Sequence, residues 1–160
     1  MYLPFEDMPS TARVWIYQAD RSLSTGEAEQ IKEQATTFLQ EWAAHGSPLK
    51  SSFKIFHDKF LMITVDESFN MASGCSIDAS VALVRTLEKE LSIDFFDRTK
   101  VCFLLNGEVF QSPMTDLKEL ITQGKIDEKS ITFNNLVATL GEFKNNWKVA
   151  AEETWLKRYF

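Results

Sequence analysis

The chain has few of the features that mark secreted, membrane-bound or disulfide-stabilised proteins. Its 160 residues include only two cysteines, Cys75 and Cys102, too few for a disulfide framework. The longest purely apolar run, residues 101–105, is far too short to span a bilayer. The N-terminal stretch MYLPFEDMPS has neither the basic nor the apolar region of a signal peptide. We therefore expect a cytoplasmic protein that does not insert directly into a membrane.

Positive charge is also scarce. There are 17 Lys and Arg residues against 23 Asp and Glu, which gives a formal net charge of -6, and the basic residues form no run. This charge distribution argues against nucleic acid as the main partner, because binding to a polyanion needs clustered Lys and Arg. No repeat, low-complexity tract or linker interrupts the chain, so we predict a single domain covering residues 1–160.

Several motifs that carry chemistry are missing. The only Gly-Lys dipeptide, Gly124-Lys125, has Glu119 where a phosphate-binding loop needs its first glycine. His45 and His57 have no Cys, Asp or Glu at metal-ligand spacing, and no G-x-S-x-G elbow is present. We therefore expect no metal, no cofactor and no nucleotide hydrolysis.

Hydrophobic periodicity in the first half of the chain predicts strands and one long helix. The stretch Arg13–Gln18 is apolar on both faces, which favours a central strand. Apolar residues at helical spacing predict a helix over residues 25–44. Residues 51–65 have the pattern of a hairpin that turns at His57-Asp58-Lys59. Its second strand, Phe60–Val65, is apolar throughout and is predicted to be central.

The second half contains a helix, a hairpin and shorter elements. The helix runs to Leu91 with Ser76 as its predicted N-cap. A buried strand, Lys100–Leu105, is joined to the following strand by Asn106-Gly107, a pair that favours a type I′ turn. Further elements are predicted as a helix over 115–123, a strand over 130–133, a helix after Thr139 and a helical C-terminal extension.

This order of elements predicts an α+β fold with a ferredoxin-like core. Strand, helix, strand, strand, helix and strand follow one another, as in the split βαβ motif, with an added hairpin strand and the C-terminal extension. The first and third strands are central in such a sheet. A flavodoxin-like parallel sheet is the alternative, although the tight turn at residues 57–59 disfavours it, because parallel neighbours need a long crossover.

The segment Gly74-Cys75-Ser76 is the strongest candidate site. A thiol just before a helix would be stabilised as a thiolate by the helix N-terminus, and a small anion could bind the same backbone N–H groups. This makes Cys75 the best catalytic candidate. The same residues are equally typical of structure: a tight loop at Gly74, a small buried side chain at Cys75 and a cap at Ser76. The structural interpretation is preferred, since no base or second cysteine is near in sequence.

Two other groups of residues are interpreted as structural. Asp94 and Asp97-Arg98 are predicted to shape a turn around Phe95 and Phe96. The C-terminal aromatic residues are predicted to pack on the rest of the chain rather than to dock a partner, because large rings bury much area. These residues are Trp147, Trp155, Tyr159 and Phe160.

The phrases ARVWIYQADR, ASGCSIDASV, DFFDRTKVCF, GKIDEKSITFNNLVATLGEF and NNWKVAAEETWLKRYF resemble an uncharacterised family of small bacterial proteins often labelled "ABC transporter ATPase". The resemblance covers almost the whole chain and implies kinship, but it brings no Walker lysine or catalytic acid to any position here.

The functional expectation is therefore a non-catalytic binding or scaffold protein, either homodimeric or acting on an unknown protein partner. The alternatives are a thiol-dependent enzyme or anion site at Gly74-Cys75-Ser76, and an accessory protein of an ABC transporter without ATPase activity of its own.

Overall fold

Strands and helices are mixed along the chain, whose residues 1–160 are described by a computed structural model. The predicted α+β class is confirmed. The strands are β1 (Arg13–Gln18), β2 (Ala43–Ala44), β3 (Ser47–Pro48), β4 (Ser51–Phe56), β5 (Phe60–Val65), β6 (Lys100–Leu105), β7 (Glu108–Pro113), β8 (Ile131–Phe133) and β9 (Lys148–Ala150). The helices are α1 (Thr25–Glu41), α2 (Gly74–Leu91), α3 (Leu117–Thr122) and α4 (Leu140–Asn146). None of them is both long enough and apolar enough to cross a lipid bilayer.

Strands β1, β5 and β4 form an antiparallel sheet in that order. Strand β5 lies between β1 and β4, so its predicted central position is confirmed, and all six of its residues are buried. The hairpin between β4 and β5 turns at His57 and Asp58, which both have positive φ, as a type I′ turn requires. Helices α1 and α2 cover one face of this sheet, because Ile31 and Val84 share a hydrophobic core with Leu61.

Strands β7, β6, β8 and β9 form a second antiparallel sheet. Asn106 and Gly107 have φ values of 53° and 80°, which confirms the predicted turn and the added strand β7. Side chains of β6 alternate between two layers: Cys102 packs in one core with Phe60 of the first sheet, and Phe103 packs in another with Leu117. The second sheet therefore lies between the first sheet and α3.

Strand β1 lies at the edge of its sheet, so the prediction that Arg13–Gln18 is central is wrong. The strand is apolar on both faces because Tyr17 packs with the helices while Val14 packs with the opposite core. Burial of both faces depends on the layers above and below a strand, whereas a central position depends on the strands beside it.

The order of the first three strands matches the split βαβ motif, but the fourth does not join them. Strand β6 would lie beside β1 in a ferredoxin-like sheet, and it pairs with β7 and β8 instead. Every ladder in the protein is antiparallel, so the flavodoxin-like alternative is wrong.

The main differences from the predicted element boundaries lie at α1, at α2 and in the C-terminal segment. Helix α1 ends at Glu41 because His45 and Gly46 adopt positive φ and turn the chain into the short β2–β3 hairpin. Helix α2 begins at Gly74, before the predicted cap at Ser76. The C-terminal segment contains β9 and two 3-10 helices, Ala151–Glu153 and Trp155–Tyr159, rather than an α-helix.

Candidate functional site

The segment Gly74-Cys75-Ser76 forms the first turn of α2. The N-cap is Ser73, whose Oγ accepts a hydrogen bond from Ser76 N at 3.1 Å, while Ser76 Oγ accepts one from Ser73 N at 2.8 Å. This reciprocal pair is a capping box, so the prediction of Ser76 as the cap is wrong by one helical turn. A Cβ added at Gly74 would meet nothing within 4 Å, so no tight loop requires this glycine.

Cys75 is exposed, and the expectation of a small buried side chain is wrong. Its Sγ has no hydrogen-bond partner, so no base contacts it. His57 lies at the opposite end of β5 from the loop that leads into α2, a distance of roughly 20 Å for six strand residues. The fold therefore keeps His57 away from Cys75, and the reactivity of this thiol stays a prediction.

The two histidines have different surroundings. His57 lies against the rings of Phe60, Phe133 and Trp147, at centroid distances of 6.4, 5.7 and 6.0 Å. Partial burial by these rings, together with the charge of Lys148, lowers the pKa of His57. His45 is exposed in the β2–β3 turn. No group of three His, Cys, Asp or Glu side chains is placed to hold a metal ion.

A cleft with a volume of about 470 Å³ separates the edge of β1 from the start of β6. We call it the inter-sheet cleft. It lies on the side of β1 where a ferredoxin-like sheet would have its fourth strand. Its volume is in the range of small-molecule sites, and 10 of its 18 lining residues are hydrophobic. These residues belong to five segments: 16–18, 95–98, 100–102, 132–136 and 154–156.

A chain of hydrogen bonds joins the walls of the inter-sheet cleft. Gln18 Nε2 donates to Lys100 O at 3.2 Å, Asn135 Nδ2 donates to Gln18 Oε1 at 3.2 Å, and the indole N–H of Trp147 donates to Asn135 Oδ1 at 2.9 Å. Each of the two amides has two N–H groups and uses one of them here. Gln18 and Asn135 therefore each keep one donor beside the cleft.

The charged residues of the cleft are Asp97, Arg98 and Lys100. Asp97 accepts hydrogen bonds from the backbone N and the hydroxyl of Thr99 and lies 3.7 Å from Lys100 Nζ. These hydrogen bonds, more than the nearby lysine, lower the pKa of Asp97. Arg98 makes no ion pair and no side-chain hydrogen bond. Asp97 does shape the predicted turn, while Arg98 supplies an unpaired positive charge to the cleft wall.

No protein-family model, curated protein or solved structure matches this chain.

Two exposed apolar side chains lie at the cleft. Leu136 is 86% exposed and Trp155 is 47% exposed, although both line the cavity. The prediction that the C-terminal aromatic residues pack on the chain is confirmed for Trp147, which is 3% exposed, and is wrong for Trp155 and Phe160. The exposed indole of Trp155 and the side chain of Leu136 are therefore available to an apolar ligand.

Beneath the cleft lies a buried polar cluster. Lys59 Nζ donates to Gln111 Oε1 at 2.5 Å and to Ala19 O at 3.3 Å, and the Cys102 thiol lies 3.8 Å from the same Gln111 oxygen. Gln111 Nε2 donates in turn to Asp20 O at 2.7 Å. Burial lowers the pKa of Lys59 and raises the pKa of Cys102 to about 11, because both charged forms are desolvated.

A shallow depression along α1 is less suited to ligands. It is wide open and is lined mostly by charged and amide side chains such as Glu29, Lys32 and Gln34. Charged side chains that water reaches freely give a small molecule little apolar area to bury.

Most residues of the inter-sheet cleft have no signal in the sequence. Gln18, Arg98 and Asn135 lie on segments far apart in the chain, and only the failure of β6 to pair with β1 brings them together. The sequence does single out Trp155, and Asp97-Arg98 beside Phe95 and Phe96, but it predicts structural roles for them.

Proposed function

We propose that the protein is a non-catalytic binding protein and that the inter-sheet cleft binds a small, partly apolar molecule. The observation that carries this proposal is the cavity of about 470 Å³ in which hydrophobic side chains and unused amide donors converge. Sites for small molecules have this character, with an apolar lining and a few polar groups that fix orientation.

The chemistry of the surrounding residues favours binding over catalysis. The one thiol in the cleft belongs to Cys102, and with a pKa of about 11 it stays protonated at neutral pH and is a weak nucleophile. His57 is packed among aromatic rings, and Cys75 lies on α2 outside the cleft. A nucleophile and a base within hydrogen-bond distance of each other are what covalent catalysis needs, and these residues do not provide that pair.

The experiment is an NMR titration of the ¹⁵N-labelled protein with 2-naphthylacetamide, a neutral aromatic probe. Amide shift changes concentrated in residues 16–18, 95–102 and 132–136 support the proposal. Ile16→Trp places a large ring in the cleft and should abolish these changes. Ile55→Trp, on the opposite face of the same sheet, is the matched control and should keep them. Absent or scattered shift changes in the wild type, with both this amide and the matching acid 2-naphthylacetate, contradict the proposal.

We also propose that the first sheet with α1 and α2 is a ferredoxin-like unit whose fourth strand has joined a second sheet. The strand order β1-β5-β4 and the position of both helices on one face support this relationship. On this view, the inter-sheet cleft is the space that the fourth strand leaves beside β1. An experimental structure in which β6 pairs directly with β1 would contradict the separation of the two strands.

A further inference from the structure

The inter-sheet cleft carries a local charge opposite in sign to that of the whole protein. Its charged lining residues are Asp97, Arg98 and Lys100, which sum to +1, whereas the whole chain has a formal net charge of -6. Asp97 is already engaged by Thr99 and Lys100. The positive charge that remains unneutralised is therefore the guanidinium of Arg98.

The hydrogen-bonding groups of the cleft include free N–H donors that could bind an anionic ligand beside Arg98. Gln18 and Asn135 each have one amide N–H without a partner, while their oxygens already accept hydrogen bonds. The Thr132 hydroxyl is committed to Cys102 O at 2.7 Å. Each amide therefore keeps one N–H donor and one acceptor position on its oxygen, and the free N–H groups are available to a ligand that accepts hydrogen bonds.

The apolar side of the cleft favours a ligand with a planar ring. Trp155 is 47% exposed and has Tyr159 edge-on, with ring centroids 6.0 Å apart, an arrangement that holds the indole in place. Stacking on such a ring suits a flat molecule, because offset-stacked aromatic pairs are favourable beyond the area that they bury. Leu136, at the same cleft, adds further apolar surface.

We infer that the ligand of the inter-sheet cleft is an aromatic carboxylate, with its carboxylate bound by Arg98 and its ring against Trp155. This inference rests on the proposed binding function and adds the chemical class of the ligand. A guanidinium presents parallel N–H donors that match the two oxygens of a carboxylate. Arg98 is thus the residue that selects an acid over a neutral compound of the same shape.

The test compares 2-naphthylacetate with its neutral isostere 2-naphthylacetamide by calorimetric titration. We expect the acid to bind wild-type protein at least about tenfold more tightly than the amide, within the range of a charge-assisted hydrogen bond. Arg98→Gln should remove this preference while leaving the affinity for the amide unchanged. Arg158→Gln is the matched control, because Arg158 lies beside Trp155 but outside the cleft lining, and it should keep the preference. The preference should also shrink at high salt.

Each contrary outcome identifies what has failed. Equal affinity of the acid and the amide, with shift changes in the cleft, overturns the carboxylate inference and leaves the binding function standing. A preference for the acid that survives Arg98→Gln overturns the role of Arg98. If neither compound binds at the cleft, the proposed function fails, and the inference fails with it.

Discussion

The fold buries Cys102 and leaves Cys75 exposed. Cys102 is 2% exposed, and its thiol shares the Gln111 oxygen with the buried ammonium of Lys59. Its pKa of about 11 means that the native protein holds the thiol in its neutral form well above neutral pH. Cys75 is exposed on α2 with no such surroundings. Packing, rather than nucleophilicity, is therefore the role that the fold gives to Cys102.

The stability of the protein should fall at alkaline pH because of Cys102. The folded pKa of about 11 lies above the ordinary thiol value, so the unfolded state loses its proton first as the pH rises. The stabilisation is present below about pH 8.5 and is lost as the pH approaches the folded pKa. Between about pH 7.5 and about pH 10, wild type should lose about 1 to 2 kcal/mol of unfolding free energy relative to Cys102→Ala, measured by urea denaturation under reducing conditions. Cys75→Ala is the control and should follow wild type. A parallel pH dependence of wild type and Cys102→Ala would contradict this account.

At the scale of elements, the start of α2 is a capped helix end that does not need its glycine. Ser73 and Ser76 each satisfy the other's backbone N–H, and the Ser76 carbonyl accepts the indole N–H of Trp42 at 2.8 Å. The capping box closes the first turn of α2, and the Trp42 hydrogen bond fixes that turn to the end of α1. The serines and the tryptophan therefore set the position of this helix end, and Gly74 makes no contact that an alanine would lose.

We expect Ser73→Ala to lower the unfolding free energy by about 1 kcal/mol, the usual cost of losing an N-cap. Gly74→Ala should leave it unchanged or raise it by up to about 0.5 kcal/mol, since alanine favours a helix and space is free. Gly141→Ala is a matched contrast in the first turn of α4. Its Cβ would lie 3.3 Å from Ser10 O, so this change should destabilise the protein. A marked loss of stability in Gly74→Ala would show that the glycine has a role beyond the helix.

Local elements could be predicted from the sequence better than their assembly. Asn106-Gly107 and the fully apolar β5 depend on neighbouring residues, and both predictions are confirmed. Strand β1 is apolar on both faces, but the sequence could not show that the second sheet covers one of these faces. The same pattern would arise in a central strand. The inter-sheet cleft was missed for the same reason, because it exists only between elements that the sequence does not pair. Cys75 is a candidate because its thiol lies at the start of a helix. That position does not tell whether the side chain is exposed.

At the scale of the molecule, the C-terminal segment contributes to the hydrophobic cores on both faces of the second sheet. Trp147 contributes to the core that includes Phe60 of the first sheet, and Leu156 contributes to the core on the far side of β6. Both side chains are nearly inaccessible to solvent. The segment is therefore part of the folded core as well as one wall of the inter-sheet cleft.

Truncation after Asn146 should abolish cooperative folding. It removes Trp147, β9 and the buried Leu156, and loss of single large core side chains already costs about 2 to 5 kcal/mol each, a large part of the stability of a domain. Near-ultraviolet circular dichroism and urea denaturation provide the measurement. Deletion of Phe160 alone, which is 39% exposed, is the control and should leave a cooperative transition. A truncated chain that still unfolds cooperatively would show that the segment is an appendage.

The edge position of β1 has a consequence for aggregation. An open strand edge is a template on which another chain can pair. One end of this edge is closed, since Val14 N donates to Ala138 O and Leu140 N donates to Ala12 O. Gly141 allows the start of α4 to come this close, with its N–H on Ser10 O at 2.8 Å. Loss of these hydrogen bonds would expose the edge of β1 while most of the core stays intact. Intermolecular strand pairing would then begin at β1 before the protein unfolds globally.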